Sequence, residues 1–477
     1  MNTLTRFRFH PPRLAMNFAL LAGAESISKL FAFAAFTYLA RVLGATRYGE
    51  LEFTLALVFF FSIIVDCGQS TFSAREVAKD PVAAPRLAAH IIFTRLVLAC
   101  GAFALLTLVA GLLNVLFPLK YFILLYGSTL FVSPLLLGWA FQGRELMKYV
   151  ALASVLRWSM FGVGVFVLVR APDQMWFIPL IEATALVCVA VFYFVNFRQN
   201  MGSLRQHLNI PYAFSVVRQA LPIGASEMVW ALKMYGATVM LELLIGGPEV
   251  GWFAAAHRIV AALHTFVFLY YFNLLPSIAR TSRGTLDGLQ RLLGKSLELT
   301  AWAAVFIGIV GSAFAEPLIA LIYGSQYHAS AIAFRILIWL IPFTLLSGHY
   351  RYTLIAYNRQ QFEFLSAAVG AASNLVLNFL LIPAYGLLGA AMALLISEGL
   401  IGILAYWFTR RTITSIPILA HLVRPVFAGV VLALVLYLVP PANLWLGGAL
   451  AALGYVVLLS LIQPNLVKDV RSLFIRN

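Results

Sequence analysis

Apolar residues fill this chain in stretches of about twenty, repeated to its end, without the strand-like alternation that would suggest a barrel. A stretch of that length is what an α-helix needs to cross ~30 Å of hydrocarbon, and a helix satisfies its backbone groups internally where water is absent. Fourteen such segments are predicted, at roughly 14–40, 50–72, 87–113, 118–141, 150–169, 175–196, 214–245, 251–278, 292–315, 330–356, 362–383, 387–408, 416–439 and 443–463. An even number places both termini on one side. The longest polar interruption, about 197–218, divides the pattern. The expected organisation is an N-terminal lobe over 1–200, a linker over 201–213, a second lobe over 214–410, and two further spans with a tail over 411–477.

The second lobe opens like the first. Ala220-Leu221-Pro222-Ile223-Gly224-Ala225-Ser226-Glu227 repeats the outline of Ala19-Leu20-Leu21-Ala22-Gly23-Ala24-Glu25, and Gly246 to Gly251 keeps the five-residue step of Gly44 to Gly49. This self-similarity at a separation of about two hundred residues predicts an all-α integral membrane protein built as two parallel-repeat lobes of six helices, with two C-terminal helices outside them.

Composition removes the soluble alternative. The 477 residues are 62% hydrophobic and 11% charged, against about 25% charged in soluble domains. A net charge of +15 would suit nucleic acid, but its distribution follows membrane topology instead. Arginines and lysines crowd the tail at Arg6, Arg8 and Arg13 and the interruptions on that side, including Arg75, Lys79, Arg86, Arg144, Lys148, Arg280, Arg291, Arg410 and Arg411. The other side holds only Arg41, Arg47, Lys120 and Arg170. Both termini are therefore expected in the cytoplasm, with the chain in the plasma (inner) membrane. Cys67, Cys100 and Cys188 show no metal spacing and read as free thiols.

Cations inside predicted spans include Lys29, Arg95, Arg157, Lys233, Arg258, Arg335 and Arg351. Acids there include Glu25, Asp66, Glu182, Glu227, Glu242, Glu298 and Glu398. An ionised group in hydrocarbon costs at least ~2.5 kcal/mol on insertion scales, so these side chains should face protein or a wet cavity. Glu25 and Lys29 stand at helical i,i+4 spacing and can pair. Asp66 can cap a helix end or pair with Arg75. Lys29, Arg95, Arg157, Lys233 and Arg258 are the candidates for holding an anionic substrate, in a basic crevice where the lobes meet. Glu25, Glu227, Glu398, His257 and His264 are candidates for an ion-coupling site, the two histidines lying seven residues apart on one helical face. Pro134 should bend the fourth span.

Certain runs resemble a known family. Arg41-x-Leu43-Gly44, Tyr48-Gly49, and Asp66-x-Gly68 followed by Arg75 look like the opening of the polysaccharide-type transporters, the oligosaccharide flippases of the multidrug/oligosaccharidyl-lipid/polysaccharide (MOP) exporter superfamily. Val250-Gly251-Trp252-Phe253-Ala254-Ala255-Ala256-His257-Arg258 resembles a second segment of that family, with Phe253 in place of a tyrosine. The run Ile382-Pro383-Ala384-Tyr385-Gly386-Leu387-Leu388-Gly389-Ala390-Ala391 resembles a third. The chain departs from the family at Lys233-Met234-Tyr235, where an acidic residue is common. The resemblance implies a MATE-like fold and carriage of a polyprenyl-diphosphate-linked glycan to the outer leaflet by alternating access, for O-antigen or exopolysaccharide assembly. It also implies a polysaccharide polymerase and chain-length machinery as associates, beside membrane lipid.

The sequence offers no phosphate-cradling loop, no metal-ligand cluster and no nucleophile–base arrangement, so no enzyme and no cofactor is expected. Three other readings stay open: a drug or cation exporter of the same superfamily, a peptidoglycan-precursor flippase, and a membrane-embedded transferase acting on a glycan lipid.

Overall fold

The computed structural model describes residues 11–113, 117–203, 208–281, 285–438 and 444–464, with side chains from residue 23. The basic residues Arg6, Arg8 and Arg13 of the tail lie outside the residues whose side chains are described. All described regular structure is helical. In chain order the helices are α1 (Pro11–Asp66), α2 (Gln69–Lys79), α3 (Ala84–Leu112), α4 (Phe117–Gly127), α5 (Gly138–Gly143), α6 (Met147–Leu168), α7 (Phe177–Met201), α8 (Ile210–Leu244), α9 (Pro248–Thr281), α10 (Leu286–Ala313), α11 (Ala315–Tyr323), α12 (His328–Leu337), α13 (Leu340–Ala356), α14 (Gln360–Tyr385), α15 (Leu387–Thr412), α16 (Ile418–Leu438) and α17 (Leu444–Ile462).

Among the described residues, twelve helical stretches are long and apolar enough to cross a membrane, so the chain is a multi-pass membrane protein. The count of fourteen differs from this in two places. The first two expected spans form one 56-residue element, α1, interrupted at Gly44 where φ is 73° and ψ 169°. A straight helix of that length would run about 84 Å, far beyond the ~30 Å hydrocarbon, so Gly44 must divide it. The expected seventh span is α8, 35 residues long but carrying Arg218, Glu227, Lys233 and Glu242. Pro134 breaks the fourth span as expected: short 3-10 turns at Ser128–Phe131 and Ser133–Leu135 separate α4 from α5.

The chain packs as two compact units, Met1–Arg47 with Phe53–Ala231, and Tyr48–Glu52 with Leu232–Asn477. In the N-terminal unit, α2, α3, α5, α7 and the start of α8 close on a core that includes Phe72, Leu87, Ile91, Trp139, Phe141 and Phe197. Backbones approach closely there. A Cβ on Gly143 would stand 2.5 Å from Ala74 O, and a Cβ on Gly224 of α8 would stand 2.7 Å from the Cys67 carbonyl carbon.

In the C-terminal unit, α14 and α15 form a tight hairpin. Gly389 lies where a Cβ would stand 2.3 Å from Leu381 O, which explains the small residues of Ile382 to Ala391 as close packing. Gly386, at φ 57°, makes the turn, and a Cβ there would fall 2.2 Å from Glu249 Oε2. That carboxylate accepts the Leu387 N–H at 2.7 Å, satisfying one of the open donors at the start of α15. The last two helices pack on α10: Trp302, Phe306 and Phe314 meet Ala428, Leu432, Ala451 and Tyr455. Tyr455 donates to Trp302 O at 3.1 Å, and Trp302 Nε1 to Gln463 at 3.0 Å.

Candidate functional site: paired charges within the spans

The first cluster of the N-terminal unit forms where α1 ends. Cys67 and Gly68 take positive φ, of 50° and 75°, turning the chain sharply into α2. Asp66 closes this turn, accepting from Ser70 N at 3.3 Å and from Ser70 Oγ at 2.7 Å. It therefore caps a helix, one of the two roles expected for it. Its cation is Arg95 of α3 rather than Arg75, which lies instead 3.5 Å from Glu76. Arg95 also donates to Ser70 Oγ at 2.7 Å and is only 3% exposed. Glu227 on α8 approaches the same corner, accepting from Thr71 Oγ1 at 3.3 Å.

A second cluster joins α1, α6 and α7. Arg157 holds Glu182 through two nitrogens, Nε at 3.2 Å and Nη2 more closely. Glu182 is 6% exposed at its side chain and Arg157 36%, so the arginine keeps an open face. One turn earlier, Ser154 Oγ reaches Ser28 Oγ at 3.0 Å and Glu25 at 3.4 Å. Glu25 and Lys29 pair at 3.9 Å with half of each side chain exposed.

The C-terminal unit holds two further clusters. Arg258 of α9 grips Glu52, with Nε at 3.1 Å and Nη2 more closely, near Tyr48, Tyr323 and Tyr327, whose rings meet edge-to-face and tilted. His257, next in line, stacks on Phe253 with centroids 5.7 Å apart and planes 7° apart. The other cluster centres on Glu398 of α15, which is 2% exposed. Lys233 of α8 bonds its Oε2, and Arg351 Nη1 of α13 stands 3.7 Å from its Oε1. Arg351 in turn binds Glu363 of α14 through Nε at 3.0 Å and Nη2 at 2.6 Å. His264 lies within electrostatic reach of Glu398, Lys233 and Arg351.

Sequence reasoning singled out Lys29, Arg95, Arg157, Lys233, Arg258, Glu25, Glu227, Glu398, His257 and His264. The structure attaches most of them to a partner of opposite sign. Sequence reasoning passed over Glu52 and Glu363, which lie near the ends of predicted spans. Both turn out to be counter-ions of span arginines. Two cavities in the C-terminal unit, of about 480 and 360 Å3, lie elsewhere: the first is lined by Ser312, Arg335, Trp339 and Tyr437, the second by apolar residues of α9, α10 and α13. No described group of three His, Cys, Asp or Glu side chains could hold a metal ion.

Comparison with known proteins fits this architecture. Two curated relatives, both carrying the name "Putative O-antigen transporter", come from Shigella dysenteriae and Escherichia coli (strain K12). They are 22% identical over 400 residues and 24% identical over 418, covering 81% and 83% of this chain and 97% of each relative. Among solved structures, the lipid II flippase MurJ in an inward closed conformation superposes with a TM-score of 0.77 at 12% identity, covering 94% of this chain and all of the other. An inward-facing MATE family multidrug resistance transporter of the MOP superfamily gives 0.63 at 14% identity, over 83% of this chain and 95% of that one. The fold is therefore that of the MurJ and MATE transporters. A family model described as "Polysaccharide biosynthesis protein" matches residues 14–282, more than half of the chain, which accordingly belongs to that family.

Proposed function

We propose that the chain is a flippase, not an enzyme, carrying a polyprenyl-diphosphate-linked oligosaccharide from the cytoplasmic to the outer leaflet of the plasma membrane by alternating access, for O-antigen or exopolysaccharide assembly. The observation that carries this reading is the set of cation–carboxylate pairs among the apolar helices, Arg95–Asp66, Arg157–Glu182, Lys233–Glu398 and Arg258–Glu52, in a fold shared with flippases and exporters. Charges at that depth are costly, and a carrier of a diphosphate needs cations there. The relatives named as O-antigen transporters supply the glycan-lipid class. Within this reading Lys29 and Arg157 of the N-terminal unit and Lys233 and Arg258 of the C-terminal unit are the cations available to the diphosphate, and Arg95 holds the Asp66 turn. Glu25, Glu227, Glu398, His257 and His264 are the groups available to a coupling ion. Both termini face the cytoplasm.

The test is translocation by the purified protein in proteoliposomes. A fluorescent polyprenyl-diphosphate-linked oligosaccharide placed in one leaflet should become accessible to an impermeant glycosidase on the other side only when the protein is present. Arg157→Gln should slow this at least ten-fold. Extrusion of lipophilic cations without movement of the glycan lipid would establish the exporter reading instead, and bond formation or cleavage in detergent would establish a transferase.

A further inference from the structure

The geometry points to Lys233 as the cation that leaves its carboxylate to take the substrate's diphosphate, and to Arg351 as the positioning residue that makes this exchange possible. The inference rests on the flippase reading and singles out, among its proposed cations, the one that can exchange its carboxylate for the ligand.

A buried ion pair can serve a substrate only if its carboxylate is not abandoned when the cation turns away, because an unpaired charge left in place is strongly unfavourable. At Asp66 and Glu182 the described contacts offer one cation each, and that cation holds on through more than one bond. Arg95 is fixed by Asp66 and Ser70, Arg157 by both Nε and Nη2 on one oxygen. Releasing either would strand its acid. Glu398 differs in its surroundings. Lys233 takes Oε2, while Oε1 is buried and accepts no hydrogen bond, with Arg351 Nη1 waiting at 3.7 Å. A charge-assisted N–H···O bond closes at about 2.8 Å, so a shift of roughly 1 Å lets Arg351 assume the whole of Glu398. Arg351 remains anchored meanwhile, since Nε and Nη2 both hold one oxygen of Glu363 and the rigid guanidinium can pivot about it, or the Glu398 carboxylate can tilt toward Nη1.

Lysine suits the departing role. Its ammonium is a compact charge on a flexible stem, which can swing between a carboxylate and a phosphate oxygen, whereas a bidentate arginine must break two bonds together. Lys233 also keeps 17% of its side chain open, against 2% for Glu398. The ligand it would take is a phosphate oxygen of the diphosphate, not the sugar or the isoprenoid.

The experiment measures binding of farnesyl diphosphate, with farnesol as the control for the tail, to the full chain in nanodiscs. Translocation of the glycan lipid is followed on the same variants. Two double variants both remove Glu398 and differ in the cation they retain. Lys233→Gln/Glu398→Gln should bind farnesyl diphosphate at least ten-fold more weakly than the native chain. Arg351→Gln alone should also weaken binding, because Lys233 is then indispensable to Glu398. Arg351→Gln/Glu398→Gln should restore it, since no carboxylate remains to hold the lysine. A purely structural network does not predict that rescue. Equal affinity of the two double variants, each monodisperse on size exclusion, would overturn the exchange while leaving the flippase reading intact. Failure of the native chain to prefer farnesyl diphosphate over farnesol, together with no glycan-lipid movement, would overturn both.

Discussion

In the N-terminal unit Asp66 serves one arginine and one helix terminus; in the C-terminal unit Glu398 serves a lysine and an arginine that is itself anchored elsewhere. Both are acids inside a largely apolar bundle, yet their networks differ in connectivity. The Asp66 turn is closed, with Ser70 and Arg95 converging on it and the backbone of α8 pressed against Gly68. The Glu398 network runs Lys233, Glu398, Arg351, Glu363, with one oxygen left without a hydrogen bond. Closed arrangements fix geometry, and open chains permit exchange. The difference lies in how many cations reach the carboxylate.

The largest expected effect separates the two regions by stability. Asp66→Ala leaves Arg95 buried without its anion and uncaps α2, so it should cost about 3–5 kcal/mol, read as loss of folded protein on heating in detergent. Glu398→Ala should cost less, about 1–3 kcal/mol, because Arg351 keeps Glu363 and Lys233 keeps some exposure. A cost equal to that of Asp66→Ala would end the distinction between closed and open networks. Next comes the turn itself. Gly68→Ala places a Cβ at positive φ, 2.5 Å from Gly224 N, and should destabilise by about 1–3 kcal/mol. The corresponding change on the other side, Gly386→Ala, meets a carboxylate that can move rather than a backbone, so about 1–2 kcal/mol is expected. Smallest of all, Glu76→Gln should change stability by less than about 0.5 kcal/mol. The hydrogen bond from Lys79 at 2.8 Å holds the Glu76 carboxyl below its ordinary range. Any stability it supplies is present above the unfolded carboxylate range and fades as pH falls, but solvent at this surface pair leaves little to lose.

Much of the fold was legible because membrane spans announce themselves by length and apolarity alone. The glycine-rich run Ile382 to Ala391 was visible as well, and its smallness is explained at Gly389, where a Cβ would collide with the Leu381 carbonyl. The i,i+4 pair Glu25–Lys29 followed from helical geometry and stands at 3.9 Å. The remaining pairs did not follow, for a physical reason. Arg157 meets Glu182 across a helix pair, and Arg258 meets Glu52 across 206 positions of chain, separations that carry no periodic signal. Arg75 looked like the natural partner of Asp66 because it is close in sequence, whereas tertiary packing delivered Arg95 from α3. Glu52 and Glu363 escaped notice because a charge near the end of an apolar run is indistinguishable, in sequence, from one bathed in the headgroup layer. The Lys233 departure, noted as an oddity, acquires meaning only once Glu398 and Arg351 are seen beside it.

The division of α1 at Gly44 bears on how this protein can be handled. The break there is one residue wide, with helical backbone resuming immediately on either side. An epitope tag or protease site inserted at that point would have to unwind two helices to be accommodated, so topology reporters belong outside α1, and position 44 itself is better probed by a single labelled cysteine than by an insertion.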